Sequence, residues 1–380
     1  MPTTKTPNLI IGAGPAGLAV AGRLRKMNIP FEVVEQKDKI AWSWTNHYDR
    51  LHLHTVKQLS ALPHLPFPKE YPTYVPRLDL VKYYETYAQT FDIQPHFNTS
   101  VTSIRQKANN HWLVETNTEK SFEVENVVIA TGINRIPNFP TWKGQKSYQG
   151  QIVHSRNYKN PAPFAGQKVL VVGMGNTGAE VALDLSEKGI DTYISVRSPI
   201  NFVPRDVNGR PVQLTAKQLA KLPFGLGDWL GMQIRKIVIG DLTKYGIPMS
   251  KMNPTVQLTT TGKTPVIDIG TVAQVKAGKI KVLPDIDYFY ETGIAFKNGE
   301  RHGFNAVIAC TGYRSQLEDF LETTDGLLDK YDVPKQVVGI GDFEGLYFVG
   351  YDNYKLGGIL GTIVTDSETV AEAIKGSQND

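Results

Sequence analysis

An α/β fold of two nucleotide-binding domains, each built on a parallel sheet, is predicted by three observations. The first is a pair of Gly-x-Gly-x-x-Gly runs, Gly12-Ala13-Gly14-Pro15-Ala16-Gly17 and Gly173-Met174-Gly175-Asn176-Thr177-Gly178. The second is their setting. Each follows an apolar, β-branched run and opens a helical pattern, the strand–turn–helix context such a run needs before it carries weight. The third is the residue closing the next strand, Glu35 after the first run and Arg197 after the second. Together they predict two Rossmann-type dinucleotide-binding domains with the second inserted into the first. The expected boundaries are 1–160 plus 306–380 for the first domain and 161–305 for the second.

The elements follow in order. A strand is expected at 8–11, a helix at 15–27 with Leu18, Ala21 and Leu24 on its apolar face, and a strand at 31–35. Residues 42–76 are rich in His, Pro and aromatic side chains, poor material for regular structure and suited to wrapping a ligand or filling a core. A helix at 78–90 precedes antiparallel strands at 101–105, 111–115 and 121–124, and a buried strand at 127–130 runs into Thr131-Gly132. The second domain repeats the opening pattern with a strand at 168–172, a helix at 176–188 and a strand at 191–196. A strand at 305–310 ends in Thr311-Gly312-Tyr313, echoing Ala130-Thr131-Gly132. A strand at 345–349 and a helix at 362–374, preceded by Gly357, Gly358 and Gly361, complete the chain. The most apolar helical stretch, 224–239, carries Asp228, Arg235 and Lys236 and is too short and too charged to span a bilayer. It is expected to line an aryl pocket or, for most of its side chains, to be core.

In each run the first Gly permits the tight turn, the second lets backbone approach a pyrophosphate, and the third lets helix and strand pack closely. Pro15, Ala16, Asn176 and Thr177 then open helices whose unpaired N–H groups and positive dipole end face the phosphates. Glu35 can accept both ribose hydroxyls and repels a 2′-phosphate, so the first site is read as FAD. Arg197, followed by Ser198, stands where an acid would favour NAD, so the second is read as NADPH. The alternatives are two structural Gly turns and a solvated strand-end charge at Arg197.

Composition removes several classes. The 380 residues carry a net charge of only +4, spread along the chain without a nucleic-acid stripe or polybasic anchor. Cys310 is the only cysteine, which excludes a dithiol pair beside a flavin; it reads as a small buried hydrophobe. Eight His lie without metal-ligand spacing. The start of the chain has no apolar leader, so a cytoplasmic protein is expected.

The segment Tyr148-Gln149-Gly150-Gln151-Ile152-Val153-His154-Ser155-Arg156-Asn157-Tyr158 resembles the FxGxxxHxxx(Y/F) motif of flavin-containing monooxygenases, with Tyr148 in the Phe place. Tyr158-Lys159 departs from the Trp-containing ending of Baeyer–Villiger enzymes. The resemblance narrows to the YUCCA-type group through 48–54, Leu62-Pro63, Pro66-Phe67-Pro68, Tyr71-Pro72, 84–88, Val196-Arg197-Ser198, Pro204-Arg205, 261–270 and 309–315. It implies that Gly12, Gly14, Gly17 and Glu35 hold FAD, with Trp44 on the flavin side and the Val101 backbone at adenine. His54 falls near the flavin oxygen adduct, or within a simple polar turn. Lys57 and Gln58 are expected to approach the isoalloxazine, and Gly357 its pyrimidine edge. Thr131, Gly132, Thr311, Gly312 and Tyr313 are counted with the cofactor-binding residues. His154 is expected to link domains and position NADPH, as a structural or a catalytic residue.

The resemblance further implies that NADPH reduces FAD and that O2 then forms a flavin hydroperoxide. One oxygen atom passes to a small organic substrate, by N- or S-oxygenation or by oxidative decarboxylation of an aryl pyruvate such as indole-3-pyruvate. The alternatives are a Baeyer–Villiger monooxygenase, an NADPH oxidase or reductase without oxygen insertion, and a non-enzymatic FAD-binding module. The expected partners are that substrate and O2, with no nucleic acid and no membrane, and the size class suits a homodimer.

Overall fold

The computed structural model describes residues 3–107, 111–219, 223, 225–355 and 357–377. The chain divides into two units. One comprises Met1–Asn46, Thr55–Ile136 and Tyr313–Asp380, the other His47–His54 and Pro137–Gly312.

The first unit is organised by a four-stranded parallel sheet in the order Leu346–Phe348, Asn126–Ile129, Asn8–Ile11, Glu32–Val34. The first three strands are buried along their whole length. That explains their unbroken apolar sequence, because a parallel sheet is covered on both faces. Asn8 and Asn126 are the polar exceptions and satisfy one another: Asn126 donates to Asn8 Oδ1 (3.0 Å), Asn8 to the Pro30 carbonyl (2.8 Å), and Tyr347 to Asn126 Oδ1 (3.1 Å). A second sheet, Thr3–Lys5, Ser121–Val124, Trp112–Thr116, Val101–Gln106, packs its apolar face into the same core through Trp112, Val114, Phe122 and Val124. The helices Pro15–Lys26, Arg77–Thr90 and Gly358–Ser377 complete the unit.

The second unit has a five-stranded parallel sheet, Ile280–Leu283, Asp191–Ser195, Lys168–Val172, Ala306–Ala309, Gln151–His154. Its helix Asn176–Glu187 packs on it through a core that includes Val169, Val171, Val181 and Leu185. A three-stranded antiparallel sheet, Ile286–Tyr290, Gly293–Phe296, Arg301–Gly303, and a parallel pair, Phe202–Pro204 with Val266–Asp268, are attached.

The structure moves the expected boundaries. Ala306–Ala309 pairs with Lys168–Val172, so residues 306–312 belong with the second unit and not with the first domain at 306–380. Residues 137–160 follow, because Gln151–His154 pairs with Ala306–Ala309. The stretch expected as core also differs. On the Leu226–Val238 helix, Leu226, Trp229, Ile237 and Val238 are exposed, while Phe224 lies outside the described residues. No described helix is long and apolar enough to cross a membrane.

One buried charge in the first unit gives a stability prediction. Asp366, on Gly358–Ser377, is 1% exposed; its Oδ2 has no hydrogen-bond partner, and Lys355 Nζ lies 3.6 Å from Oδ1. Burial pushes its carboxyl up to about 6, against the pull of Lys355. The folded state thus holds the proton more tightly than the unfolded chain. The ionised carboxylate costs stability above pH 6, and the cost vanishes below the unfolded value near 4. Asp366→Asn is expected to stabilise the protein at pH 8 by about 1–3 kcal/mol and by nothing at pH 4. Denaturant melts at the two pH values check this, and a pH-independent difference would contradict it.

Candidate functional site

The two fingerprint turns have the same construction. In the first unit Gly12 has φ +110°, and its amide donates to the Val34 carbonyl (2.8 Å). A Cβ there would stand 2.7 Å from the Ala130 carbonyl oxygen, and one on Gly17 would overlap the Gly12 carbonyl oxygen. A Cβ on Gly14 would meet nothing within 4 Å. In the second unit Gly173 has φ +99° and donates to the Ser195 carbonyl (3.1 Å). Its Cβ would lie 2.7 Å from the Cys310 carbonyl oxygen, a Cβ on Gly178 would overlap the Gly173 carbonyl oxygen, and Gly175 faces open space. Thus the outer glycines are required by protein packing, while the middle ones leave a cradle that a side chain would fill.

Gly14 and Gly175 cap their helices without a side-chain hydrogen bond. The first-turn amides of Ala16 and Gly17, and of Asn176, Thr177 and Gly178, are the donors a helix N-terminus leaves over. Pro15 contributes a preset φ and no donor. Both cradles fit a pyrophosphate. The Asn176 carboxamide is otherwise engaged. It donates to the Pro265 carbonyl (3.2 Å) and accepts from Ile267 N (2.7 Å), tying the helix start to the Val266–Asp268 strand.

The strand ends differ in burial. Glu35 is 9% exposed, with Oε2 accepting from Ala13 N (2.8 Å) and Oε1 from Lys37 N (2.9 Å). Burial raises its pKa while these backbone bonds oppose the shift. Each oxygen keeps a further lone pair for a ribose hydroxyl. Arg197 and its neighbour Ser198 lie beyond the Asp191–Ser195 strand, with Arg197 exposed.

Several other expected residues lie within the first unit. Thr99 N donates to the Glu35 carbonyl (2.9 Å), two residues ahead of Val101, which opens the Val101–Gln106 strand. Thr131 Oγ1 bonds the Tyr351 hydroxyl (2.7 Å), and Gly132 has φ +79°. Trp44 sits on the short helix Trp42–Thr45, whose last carbonyls accept from Arg77, a buried residue the sequence did not flag. Gly357 has φ +116°; Cβ atoms on Gly358 and Gly361 would stand 2.9 Å from Thr55 Cγ2 and 3.7 Å from the Leu59 carbonyl oxygen. This seats the helix start against the segment carrying Gln58, which is exposed. Lys57 departs from expectation. Its ammonium donates to the carbonyls of Lys69 (2.8 Å), Pro68 (3.5 Å) and Tyr71, so it organises the 68–71 turn instead of approaching a ring system.

Several side chains of the motif at 148–158 bond within the second unit. The Tyr148 hydroxyl donates to the Phe304 carbonyl (2.8 Å), and its ring occupies the space a Cβ on Gly150 would need. His154 is 4% exposed; Nδ1 accepts from Arg156 N (3.2 Å), which leaves the proton on Nε2 for the Gly312 carbonyl (3.1 Å). Burial lowers its pKa, so the ring is neutral at pH 7. With both nitrogens engaged, His154 fixes the Thr311-Gly312 turn that also accepts Asn138 N (2.9 Å) and precedes Tyr313. Tyr158 donates to Asp184 Oδ2 (2.7 Å).

That last bond belongs to a partly buried cluster that the sequence pattern did not single out. Glu180, Asp184 and Glu187 share one face of the Asn176–Glu187 helix. Glu180 Oε2 accepts from the Tyr48 hydroxyl (2.7 Å) and His54 Nε2 (3.2 Å). Arg50 pairs with Glu187 (2.8 Å), Asp184 (3.3 Å) and Glu180 (3.9 Å). Burial, then the Glu180 charge, holds the Tyr48 phenol well above its ordinary pKa. A carboxylate only accepts, so Nε2 of His54 carries the proton and its neutral form offers Nδ1. The signal was present as three acids at i, i+4 and i+7 of an otherwise apolar helix. Among the described residues no group of His, Cys, Asp and Glu could hold a metal.

These turns, sheets and cradles define a class. A family model described as pyridine nucleotide-disulphide oxidoreductase matches residues 9–219, and the chain belongs to that family. Its place within the family is with the YUCCA flavin monooxygenases. The chain is 37% identical over 363 residues to the probable indole-3-pyruvate monooxygenase YUCCA8 of Arabidopsis thaliana, covering 92% of this chain and 85% of the relative. It is 35% identical over 374 residues to indole-3-pyruvate monooxygenase YUCCA1 of Oryza sativa subsp. japonica, covering 96% and 90%. Among solved structures, a flavin-containing monooxygenase from Stenotrophomonas maltophilia matches the α/β fold with a TM-score of 0.76 at 19% identity, over 99% of both chains. A steroid monooxygenase bound to NADP matches at 0.75 and 18%, over 99% of this chain and 85% of that one.

Proposed function

We propose that this protein is an NADPH-dependent FAD monooxygenase acting on a small organic substrate, with aryl pyruvates such as indole-3-pyruvate as the favoured class. Each unit is read as a Rossmann-type domain, the first holding FAD and the second NADPH. The observation that carries the reading is the duplicated cradle with unequal strand ends, a buried carboxylate at Glu35 and an exposed guanidinium at Arg197. Cys310 argues against the thiol chemistry in the family's description. It is the only cysteine, it is buried beside Gly173 and Gly178, and burial pushes its thiol up to about 12.

Bound FAD supplies hydride acceptance and oxygen activation. The chain supplies placement. Ala16 and Gly17 amides bind the first pyrophosphate and Glu35 its ribose. Asn176, Thr177 and Gly178 amides bind the second, with Arg197 and Ser198 at the 2′-phosphate. His154 holds the Thr311-Gly312 turn, and Glu180 orients His54. The overall balance for an aryl pyruvate is RCH2COCO2H + O2 + NADPH + H⁺ giving RCH2CO2H + CO2 + NADP⁺ + H2O.

Turnover of FAD-loaded protein with indole-3-pyruvate under ¹⁸O2 tests the reading. One labelled oxygen in the acid product and one CO2 per NADPH are expected. Peroxide equal to all NADPH consumed, whatever the substrate, would leave only the oxidase alternative. Arg197→Ala is expected to raise KM for NADPH by roughly ten- to a hundredfold, the worth of a charge-assisted contact, and to leave KM for NADH unchanged. Equal effects on both would remove Arg197 from the 2′-phosphate.

A further inference from the structure

Arg235 is a buried cation without a counter-charge among the described residues. It lies on the Leu226–Val238 helix of the second unit and is 8% exposed. Its Nε donates to the Phe202 carbonyl (3.0 Å), but Nη2 is buried without a hydrogen-bond partner. Among the described residues no carboxylate reaches it. Arg50 meets three carboxylates, Arg135 meets Asp319 at 2.8 Å, and Arg205 meets Asp206 at 2.9 Å, whereas Arg77, also buried, donates to the Trp44 and Thr45 carbonyls. A guanidinium stays charged even when burial lowers its pKa, and an uncompensated buried charge is costly. Its free donors form a planar fork matched to phosphate or carboxylate oxygens.

Its position is defined by the sheet pair beneath it. Phe202–Pro204, which Arg235 grips, pairs with Val266–Asp268, and that strand is held to the second fingerprint helix by both ends of the Asn176 carboxamide. One strand spacing and the side-chain hydrogen bonds of Arg235 and Asn176 thus link the guanidinium to the start of that helix.

We propose that Arg235 anchors an oxyanion, a phosphate or carboxylate group of a ligand bound by the second unit. The proposed function supplies two sources for that group, a phosphate of the nicotinamide dinucleotide or the carboxylate of the 2-oxo acid. The oxyanion class itself rests on the unpaired fork alone.

The test compares FAD-loaded wild type, Arg235→Met and Arg235→Lys. Dissociation constants are measured for NADP⁺, NAD⁺, phenylpyruvate and inorganic phosphate, alongside melting temperatures. Without added anion, Arg235→Met is expected to melt at or above wild type, since an apolar side chain replaces an unpaired buried charge. At least one anionic probe is expected to bind about tenfold or more weakly to it, with Arg235→Lys recovering part of the loss. Loss for NADP⁺ alone assigns the 2′-phosphate, equal loss for NADP⁺ and NAD⁺ the pyrophosphate, and loss for phenylpyruvate alone the substrate carboxylate. Wild type that ignores both dinucleotides and phenylpyruvate, yet gains stability from phosphate only with Arg235 present, overturns the proposed function and keeps the anion site. Unchanged binding of all four probes, whatever the melting temperatures, overturns the anion site.

Discussion

Gly175→Ala is expected to give a stable protein that has lost NADPH, and Gly178→Ala a protein whose second unit is destabilised outright. The chemical change is the same single methyl group, three residues apart on one turn. At Gly175 φ is −87° and the new Cβ meets no protein atom, so stability should stay within about 0.5 kcal/mol of wild type. The methyl group fills the cradle, however, and a pyrophosphate pressed against it loses about 1–3 kcal/mol, as in other overpacked sites. At Gly178 the Cβ would overlap the Gly173 carbonyl oxygen, with Cys310 Cβ at 3.3 Å on the other side. Neither neighbour is a flexible side-chain end, so helix and strand must separate, at a cost of about 3 kcal/mol or more. Gly14→Ala and Gly17→Ala should repeat the contrast, the first as a colourless but folded protein. Urea melts and titration with NADP⁺ or FAD separate the outcomes. Wild-type NADP⁺ affinity in Gly175→Ala would mean that the backbone does not approach the pyrophosphate there.

This contrast shows why the turns were legible in the sequence. Gly12, Gly17, Gly173 and Gly178 are fixed by contacts within one strand–turn–helix and its neighbouring strand, so local pattern carries the information. The strand at Ala306–Ala309 was legible as a strand but not as a member of a sheet. Its apolar run would suit either parallel sheet, and its pairing with Lys168–Val172 is settled by partners distant in the chain. The segment His47–His54 leaves the first unit for similar reasons. Tyr48, Arg50 and His54 find their partners on Glu180, Asp184 and Glu187, far along the sequence. Lys57 was misread because its three acceptors are backbone carbonyls of a turn, which have no residue-type signature.

The Glu180 cluster carries the second large expectation. Glu180 is 2% exposed and serves a phenol, an imidazole and a guanidinium together. Glu180→Ala leaves the buried Tyr48 hydroxyl and His54 Nε2 short of an acceptor while Arg50 keeps Asp184 and Glu187, and a loss of about 1–3 kcal/mol in unfolding free energy is expected. A double-mutant cycle with Tyr48→Phe should show a coupling of about 1 kcal/mol or more, whereas strictly additive losses would mean that the phenol and carboxylate do not act together. Glu180→Gln separates stability from function. The Tyr48 hydroxyl and His54 Nε2 bond the same oxygen, Oε2, so an amide oxygen kept there still accepts from both but removes the charge that holds the imidazole proton on Nε2, and a switch of that proton to Nδ1 becomes accessible. Nitrogen chemical shifts of labelled histidine would report that switch directly. If His54 works through Nδ1 in the proposed reaction, Glu180→Gln and His54→Ala should both raise peroxide release per NADPH while leaving KM for NADPH unchanged. A tautomer switch without any change in peroxide release would make the cluster a structural brace for the Asn176–Glu187 helix, with His54 one of its bolts.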